Sequence, residues 1–587
     1  MDAHPQNIYE FGAFRLDLAE RLLTLNGSPV AMTPKAFEVL TLLVERRGHL
    51  VEKDELIREI WPEAFVEEAN LSRTIWMLRQ ALDDDRNGHG IIQTVPKHGY
   101  RFVADVKEIP TPGAPPIRTS INSLAVLPLQ NTSGDPSQEY LADGVTEGLI
   151  AYISRARGLR VIAPKSVMTY KGTSKTPAEI ASELNVDAIL LGSFARDSEN
   201  VRLNLDLVEA VTGETLLLEN HAGNWNGILY FQSDIANAIA RIINVEMLPT
   251  SNETRQINPE AYDLYLHARF RLMREKREEI SEAIAMLEEA VRIDPDFARA
   301  FAELARAYSI LAYFFAPQEE QLREKAFIAV ERANMLNPDL PEANLARGLL
   351  LFTHASGFRH EQAITEYRRA LELNPNYDDA RHQLGAVYHH VGLFDKAMAE
   401  YQLALAINPA NNLIRAHFAG SLMYQQKYED ALINLTGVPY GHAQAGTFQK
   451  AFSLVHLGRY DEAAALAESS LRSIPSDGGG VMTSIQALIA AHMGNERGAV
   501  ENIRRSVELG CNFGHFHHAA YNFAKAYAIL NRPERAVKWL QQAADEGFPC
   551  YPSFANDPDL DNIKGYPAFM DFMSKQKKQW ERRMKSY

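Results

Sequence analysis

The chain of 587 residues reads as a multidomain protein in three parts: an α+β unit, a mixed-sheet α/β module and an all-α superhelix of paired helices. Three observations point to this. Within the first 105 residues an amphipathic helix leads into a short hairpin carrying Pro96, Lys97, His98 and Gly99. From 121 to 248, strand and helix patterns alternate before three strands follow in succession. Beyond residue 258, alanines recur at intervals near 34, several with a proline twelve positions later.

In the first part, Tyr9-Phe11, Phe14-Leu18, Leu22-Leu25 and Val30-Met32 are short strand-like runs, and Asn26-Gly27 is a hairpin signal. Thr33-Pro34 marks a helix start, with Thr33 as cap and proline at the first helical position. Ala36, Phe37, Leu40, Leu43 and Val44 form its apolar stripe, which ends near Gly48. A short Leu50-Val51 strand and a small helix from Lys53 to Ile60 follow, stopped at Trp61-Pro62. Leu71, Ile75, Leu78 and Leu82 then share one face of a third helix, with Arg73, Met77 and Gln80 opposite and Asn70, Thr74 and Trp76 on the flanks. Ile91 to Val103 folds back on itself around Pro96–Gly99.

A helix followed by a basic hairpin is how a winged helix-turn-helix meets DNA: the helix enters the major groove and the hairpin tip reaches the backbone or minor groove. The stretches Met32-Thr33-Pro34-Lys35-Ala36-Phe37-Glu38-Val39-Leu40, Leu78-Arg79-Gln80-Ala81-Leu82 and Thr94-Val95-Pro96-Lys97-His98-Gly99-Tyr100-Arg101-Phe102 resemble the OmpR/PhoB-type winged-helix domain over residues 7–105. The resemblance implies a recognition helix from Asn70 to Leu82 and a wing from Lys97 to Arg101. It assigns Asn70, Arg73 and Met77 to bases, Ser72, Trp76 and Arg79 to phosphates, and Lys97, His98 and Arg101 to the wing. For Arg79 an internal ion pair is an equal alternative, and for Trp76 partial core burial is the alternative.

Charge cuts the other way. Residues 1–105 hold 12 Lys/Arg and 17 Asp/Glu, a balance of −5, whereas DNA-binding domains are usually basic. Placement matters more than the sum, because screening acts over about 8–10 Å. Asn70 to Arg101 holds five Lys/Arg against Asp83, Asp84 and Asp85. Two cysteines, Cys511 and Cys550, in so long a chain argue for a reducing cytoplasm. No basic-apolar leader opens the chain and no apolar window is long enough to span a bilayer. Some relatives with this winged helix are membrane-anchored sensors of the CadC and ToxR kind. Here residues 106–120, rich in proline, read as a stiff linker instead.

Residues 121–248 read as β-α-β-α-β-β-β-α, and Thr176-Pro177-Ala178-Glu179 is a capping box. Leu124–Leu129, Gly134-Asp135-Pro136, Tyr140-Leu141-Ala142-Asp143-Gly144 and Asp187–Gly192 resemble the TolB N-terminal-like module, which supplies no catalytic mechanism. Asp135, Asp143 and Glu147 read as turn and helix-start carboxylates rather than a metal or acid/base site. No phosphate-cradling glycine loop is present. No catalytic residue, cofactor site or metal site is assigned.

The third part, 258–575, resembles tetratricopeptide repeats, about eight of them. Ala283/Pro295, Ala326/Pro338, Ala363/Pro375, Ala397/Pro409 and Ala463/Pro475 keep one offset, and Ala431, Ala499 and Ala536 keep the alanine register. Asp378–Asn411 is the best unit, carried by Gly385, Tyr388, Gly392, Ala397, Tyr401, Ala404 and Pro409. Such a stack offers a concave face for a protein or peptide, with Tyr, Arg, Asn and His of the first helices as contacts. His515, His517 and His518 near Cys511 fit no familiar zinc spacing, Gly478–Gly480 reads as a loop, and Lys575–Lys585 as a capping helix.

These readings converge on a bacterial, cytoplasmic, sequence-specific DNA-binding transcriptional regulator, with double-stranded DNA as one partner and a protein or effector on the repeats as input. Paired half-sites make a dimer on DNA an expectation. The competing reading is a scaffold whose winged helix contacts protein. An enzyme centred on 121–248 finds no nucleophile, base or metal set to support it.

Overall fold

The computed structural model describes residues 7–18, 22–25, 28–30, 32–60, 68–82, 90–96, 98–110, 121–248, 257–273, 276–315, 320–438, 446–510, 514 and 516–587. The chain forms two compact units, Met1–Ser120 and Ile121–Tyr587.

The first unit is built from strands β1 (Asn7–Phe11), β2 (Phe14–Asp17), β3 (Leu22–Leu25) and β4 (Ser28–Pro29), helix α1 (Pro34–Glu45), strand β5 (Val51–Glu52), helices α2 (Lys53–Ile60) and α3 (Glu68–Ala81), and strands β6 (Ile92–Val95), β7 (Gly99–Phe102) and β8 (Lys107–Pro110). One sheet has the order β4-β3-β2-β1-β8 and the other β5-β7-β6. Thr33 caps α1 by accepting from the Ala36 amide at 3.2 Å. The core closes between the sheet residues Tyr9, Phe11 and Leu16 and the helix residues Val39, Leu40, Leu43, Leu71, Ile75, Leu78 and Leu82.

Two expectations shift here. The fourth strand is Ser28–Pro29, not Val30–Met32. Leu25 pairs with Ser28, so the tight connection starts the pairing at once, and the Val30 amide donates to Leu23 O at 2.8 Å. The start of the supposed linker, Lys107–Pro110, is strand β8, paired antiparallel with β1 from Asn7↔Pro110 to Glu10↔Lys107. Without β8, β1 would be an open edge. The Asn26-Gly27 turn, the Trp61-Pro62 stop, Asp83–Asp85, and 111–120 of the linker lie outside the described residues.

The second unit begins with a mixed sheet in the order β11-β9-β12-β13-β14, with β10 also on β12. Its elements are β9 (Ser123–Val126), β10 (Gln130–Asn131), α4 (Glu139–Ile153), β11 (Arg160–Val161), α5 (Pro164–Val167), α6 (Pro177–Leu184), β12 (Ala188–Asp197), β13 (Asn200–Glu209), β14 (Thr215–Asn224) and α7 (Ile228–Ile242). β9, β10, β11 and β12 pair in parallel, while β12–β13–β14 is an antiparallel meander. On β13, Val201, Leu203, Leu205 and Leu207 are buried and alternate with more accessible polar residues. The Thr176–Glu179 capping box forms with both bonds.

Helix pairs follow from Pro259–Leu272 and Arg277–Ile293 to Phe516–Ile529 and Pro533–Asp545, eight pairs in all among the described residues. The alanines 283, 326, 363, 397, 431, 463, 499 and 536 are all fully buried, one per pair. Glycine permits the closest approaches. A Cβ on Gly348 would lie 2.3 Å from the Tyr367 ring, and one on Gly385 2.7 Å from the Tyr401 ring, the same position one repeat later.

No break in packing separates 121–248 from the repeats. One core runs from Leu124 and Leu141 through Trp225 and Ile239 to Tyr262, Leu266 and Tyr308. Arg196 Nη1 donates to both carboxylate oxygens of Asp263, each at 2.9 Å. Turns of later repeats also reach the module. Asn376 Nδ2 donates to Ser154 O (2.9 Å) and Leu159 O (2.8 Å), and its Oδ1 accepts from the Val161 amide (3.1 Å). Ser166 Oγ bonds Asn408 at 2.7 Å.

The first-helix side chains expected to await a partner are largely used within the chain. Over Asp378–His390, His382, Tyr388, His389 and His390 are buried. Arg381 bonds Glu400 and Pro375 O. The C-terminal helix Pro567–Ser586 supplies part of the cover: Trp580 Nε1 donates to Gly392 O at 3.0 Å, and Arg583 pairs with Glu361 at 2.9 Å.

Candidate nucleic-acid interface

Leu71, Ile75, Leu78 and Leu82 are each at most 2% exposed, which fixes the rotation of α3 and turns its other side outward. Asn70, Ser72, Arg73, Trp76 and Gln80 are exposed on that side, and Met77 is half-buried. Trp76 is 59% exposed, so it does not serve the core. Arg73 has no ion-pair partner among the described residues. Thr74 turns inward, 5% exposed, its hydroxyl donating to Asn70 O at 2.9 Å.

Arg79 is engaged elsewhere. Its guanidinium donates to Ile92 O at 2.7 Å and Thr94 Oγ1 at 2.8 Å, tying α3 to the hairpin.

The wing is a four-pair antiparallel ladder from Ile92↔Phe102 to Val95↔Gly99. His98, in its turn, is exposed, and its carbonyl accepts from the Lys53 amide at 3.0 Å. Lys97 lies outside the described residues. Arg101, opposite Gln93, is half-buried and its Nε has no hydrogen-bond partner among the described residues. Gly99 is needed for packing: a Cβ there would fall 2.0 Å from Val51 O on the neighbouring strand.

Several acids of this unit are ion-paired within it. Arg46, at the end of α1, bonds Glu55 and holds Glu59 at 2.8 Å, and Lys35 pairs with Glu38 at 2.8 Å. Glu55 and Glu59 raise the Arg46 guanidinium above its ordinary value. Gln80 and Gln93, both exposed beside the assigned residues, were not among the expected contacts; their polar side chains on the α3 and β6 faces were the available signal.

Of the three carboxylates in the α/β module, Asp135 is the turn residue expected, accepting from the Ser137 amide at 2.9 Å. Asp143 and Glu147 are not helix-start residues but sit within α4, buried. Lys171 Nζ meets Asp143 at 2.6 Å, and Arg269 meets Glu147 at 2.7 Å. Burial pushes the Glu147 carboxyl up against the pull of Arg269. Both acids are ion-paired members of the core between α4 and its neighbours.

Residues 27–102 match the family described as transcriptional regulatory protein, C terminal. Residues 359–392 match a TPR repeat and 378–411 a tetratricopeptide repeat. The chain carries an OmpR/PhoB-type winged-helix domain and tetratricopeptide repeats. It is 34% identical over 195 residues to a Rhizobium meliloti protein named putative adenylate cyclase 3, covering 32% of this chain and 33% of that one. It is 24% identical over 406 residues to transcriptional regulator HilA of Salmonella typhimurium, covering 68% and 70% of the two chains. With transcriptional activator CadC of Escherichia coli it shares 21% identity over 520 residues, 73% of this chain and 99% of that one. The chain thus spans a third of the first of these relatives. No helix among the described residues is long and apolar enough to cross a membrane.

Proposed function

We propose that this chain is a sequence-specific DNA-binding transcriptional regulator acting in the cytoplasm, without enzymatic activity of its own, whose helical repeats take a protein or effector input. The observation that carries this reading is the outward face of α3. Asn70, Ser72, Arg73 and Trp76 stand exposed there, on a helix whose rotation is locked by its buried leucines and whose end is bolted to the wing by Arg79. Amide, hydroxyl, guanidinium and indole groups suit base edges, phosphates and sugar. Asn70, Arg73 and Met77 face bases, Ser72, Trp76 and Arg79 the backbone, and Lys97, His98 and Arg101 form the wing's contacts. Paired half-sites would bring two copies together on DNA. In residues 121–248 we see a TolB N-terminal-like coupling element, a role supported by the core it shares with the repeats.

Binding to promoter duplexes across a salt series tests this. Affinity should fall steeply with salt, and Arg73→Ala should weaken binding by about 1–3 kcal/mol at one base position. The balance of −5 over residues 1–105 favours the scaffold reading. A flat salt response on both promoter and random duplex would establish it instead.

A further inference from the structure

We infer that His390, His517 and His518 bind one divalent transition-metal ion of the zinc class, joining the helix Asp378–His390 to the helix Phe516–Ile529 inside the repeats. Each of the three offers a ligand atom, and all these atoms lie within 4.8 Å of one another. The argument rests on where the protons must be. His390 Nδ1 is 2.6 Å from Ala386 O, and His517 Nδ1 is 2.9 Å from Glu546 O. A carbonyl oxygen only accepts, so both Nδ1 atoms carry hydrogen. In neutral rings each Nε2 then holds a lone pair, and these two Nε2 atoms face each other across 3.0 Å. Lone pairs at that distance repel unless a positive centre is shared between them.

Two centres could serve, a proton or a metal ion. His390 is 6% exposed and His517 is 1% exposed, with the rings of Phe352, Phe358 and Phe548 around them. Such a setting disfavours an imidazolium. Neutral imidazoles whose far nitrogens donate to backbone carbonyls are instead the usual state of metal-bound histidine. Nitrogens held about 2.0–2.1 Å from one zinc stand roughly 3.3 Å apart at the tetrahedral angle, close to the separation found here. His518 adds the third ligand, oriented through its Nδ1 contact of 2.8 Å with the Tyr424 hydroxyl. A water or outside donor completes the four.

The other cluster of this kind among the described residues, His456 with Asp557 and Asp559, has a cation already. Lys525 Nζ lies 2.6 Å from His456 Nε2, 3.2 Å from Asp557 and 3.4 Å from Asp559. The adjacent pair His517-His518 fits no zinc spacing in sequence because its third member lies 127 residues earlier. Of the residues considered with them, His515 and Cys511 lie outside the described set.

The test uses the full chain without an affinity tag, stripped with chelator and titrated with zinc chloride. We expect about one zinc per chain and a thermal midpoint that rises with added metal. The double variant His390→Gln/His517→Gln should lose binding by more than about 100-fold, while His354→Gln, at an exposed site, retains it. Should the double variant misfold by circular dichroism, cobalt on the native chain decides. An intense tetrahedral ligand-field band supports the site, and a weak octahedral spectrum overturns it. Absence of stoichiometric zinc, or its retention by a folded double variant, overturns the proposal as well and leaves a shared proton between the rings. None of these readouts depends on DNA binding, so failure here and failure of the regulator reading are separate results.

Discussion

Arg79 and Ile92 are joined across 2.7 Å, guanidinium to carbonyl oxygen, so the last turn of α3 and the first strand of the wing move as one piece. The same guanidinium reaches the Thr94 hydroxyl. Arg79→Ala should therefore act on the fold. We expect a loss of about 1–3 kcal/mol in the first unit's unfolding transition, because a half-buried carbonyl is left without its charged donor. Calorimetry of the full chain measures it. An unchanged transition together with weakened DNA binding would assign Arg79 to the phosphate backbone alone.

Asn376→Ala should loosen the second unit. Its side chain satisfies Ser154 O, Leu159 O and the Val161 amide at once, and all three groups lose a partner together. A cost of about 1–3 kcal/mol is the minimum for such buried groups. Hydrogen exchange should rise at Val161 and along β11. Unaltered protection there would mean that the module is held by its apolar core alone.

Lys525 is fully buried among Asp557, Asp559 and His456, with its ammonium 4.1 Å from the Phe452 ring centre. Burial alone would push the Asp559 carboxyl up, yet Lys525, His456 and His492 hold it well below the usual range. Lys525→Met strands two buried carboxylates and should cost about 3–5 kcal/mol. Urea unfolding of the variant reads this directly. A variant as stable as the parent would show that the acids take up protons without penalty.

Three buried histidines should each weaken the second unit as pH falls, opposed by Asp378, whose carboxyl burial pushes up to about 7 so that its protonation favours the folded state. Burial drives His389 down to about 3 and, with Arg583 and Lys165 respectively, His360 and His382 down to about 4. In the unfolded chain these rings titrate near their ordinary value of about 6.5. Between that value and the folded ones, the unfolded state binds more protons, so stability falls as pH falls. By pH 5 the cost is on the order of 2 kcal/mol for each ring. The change in thermal midpoint between pH 7 and pH 5 should be less destabilising in His382→Gln than in the parent chain, and an identical change in both would contradict it.

Periodic features were legible in the chain itself. The stripe Leu71, Ile75, Leu78, Leu82 announces which way α3 turns, and buried alanines from 283 to 536 mark each helix pair, because a helix must repeat its contacts every turn and a repeat every unit. Contacts that depend on docking were not. Arg79 meets Thr94 only once the hairpin folds back, and His390 meets His517 only once distant pairs close together. Asp143 and Glu147 read in sequence as turn and helix-start acids because their cations, Lys171 and Arg269, come from other elements. Strand β8 ends at Pro110, where a proline-rich run begins, and its pairing is dictated by the free flank of β1 rather than by its own composition.

The common core running from Leu124 to Tyr308 constrains how this architecture can be cut and recombined. A chimera that exchanges the helical array while keeping the sheet, or the reverse, would leave a greasy seam on both halves. Variation between kindred chains should then fall on loops and outward faces, with sheet and first helix pairs inherited as a block.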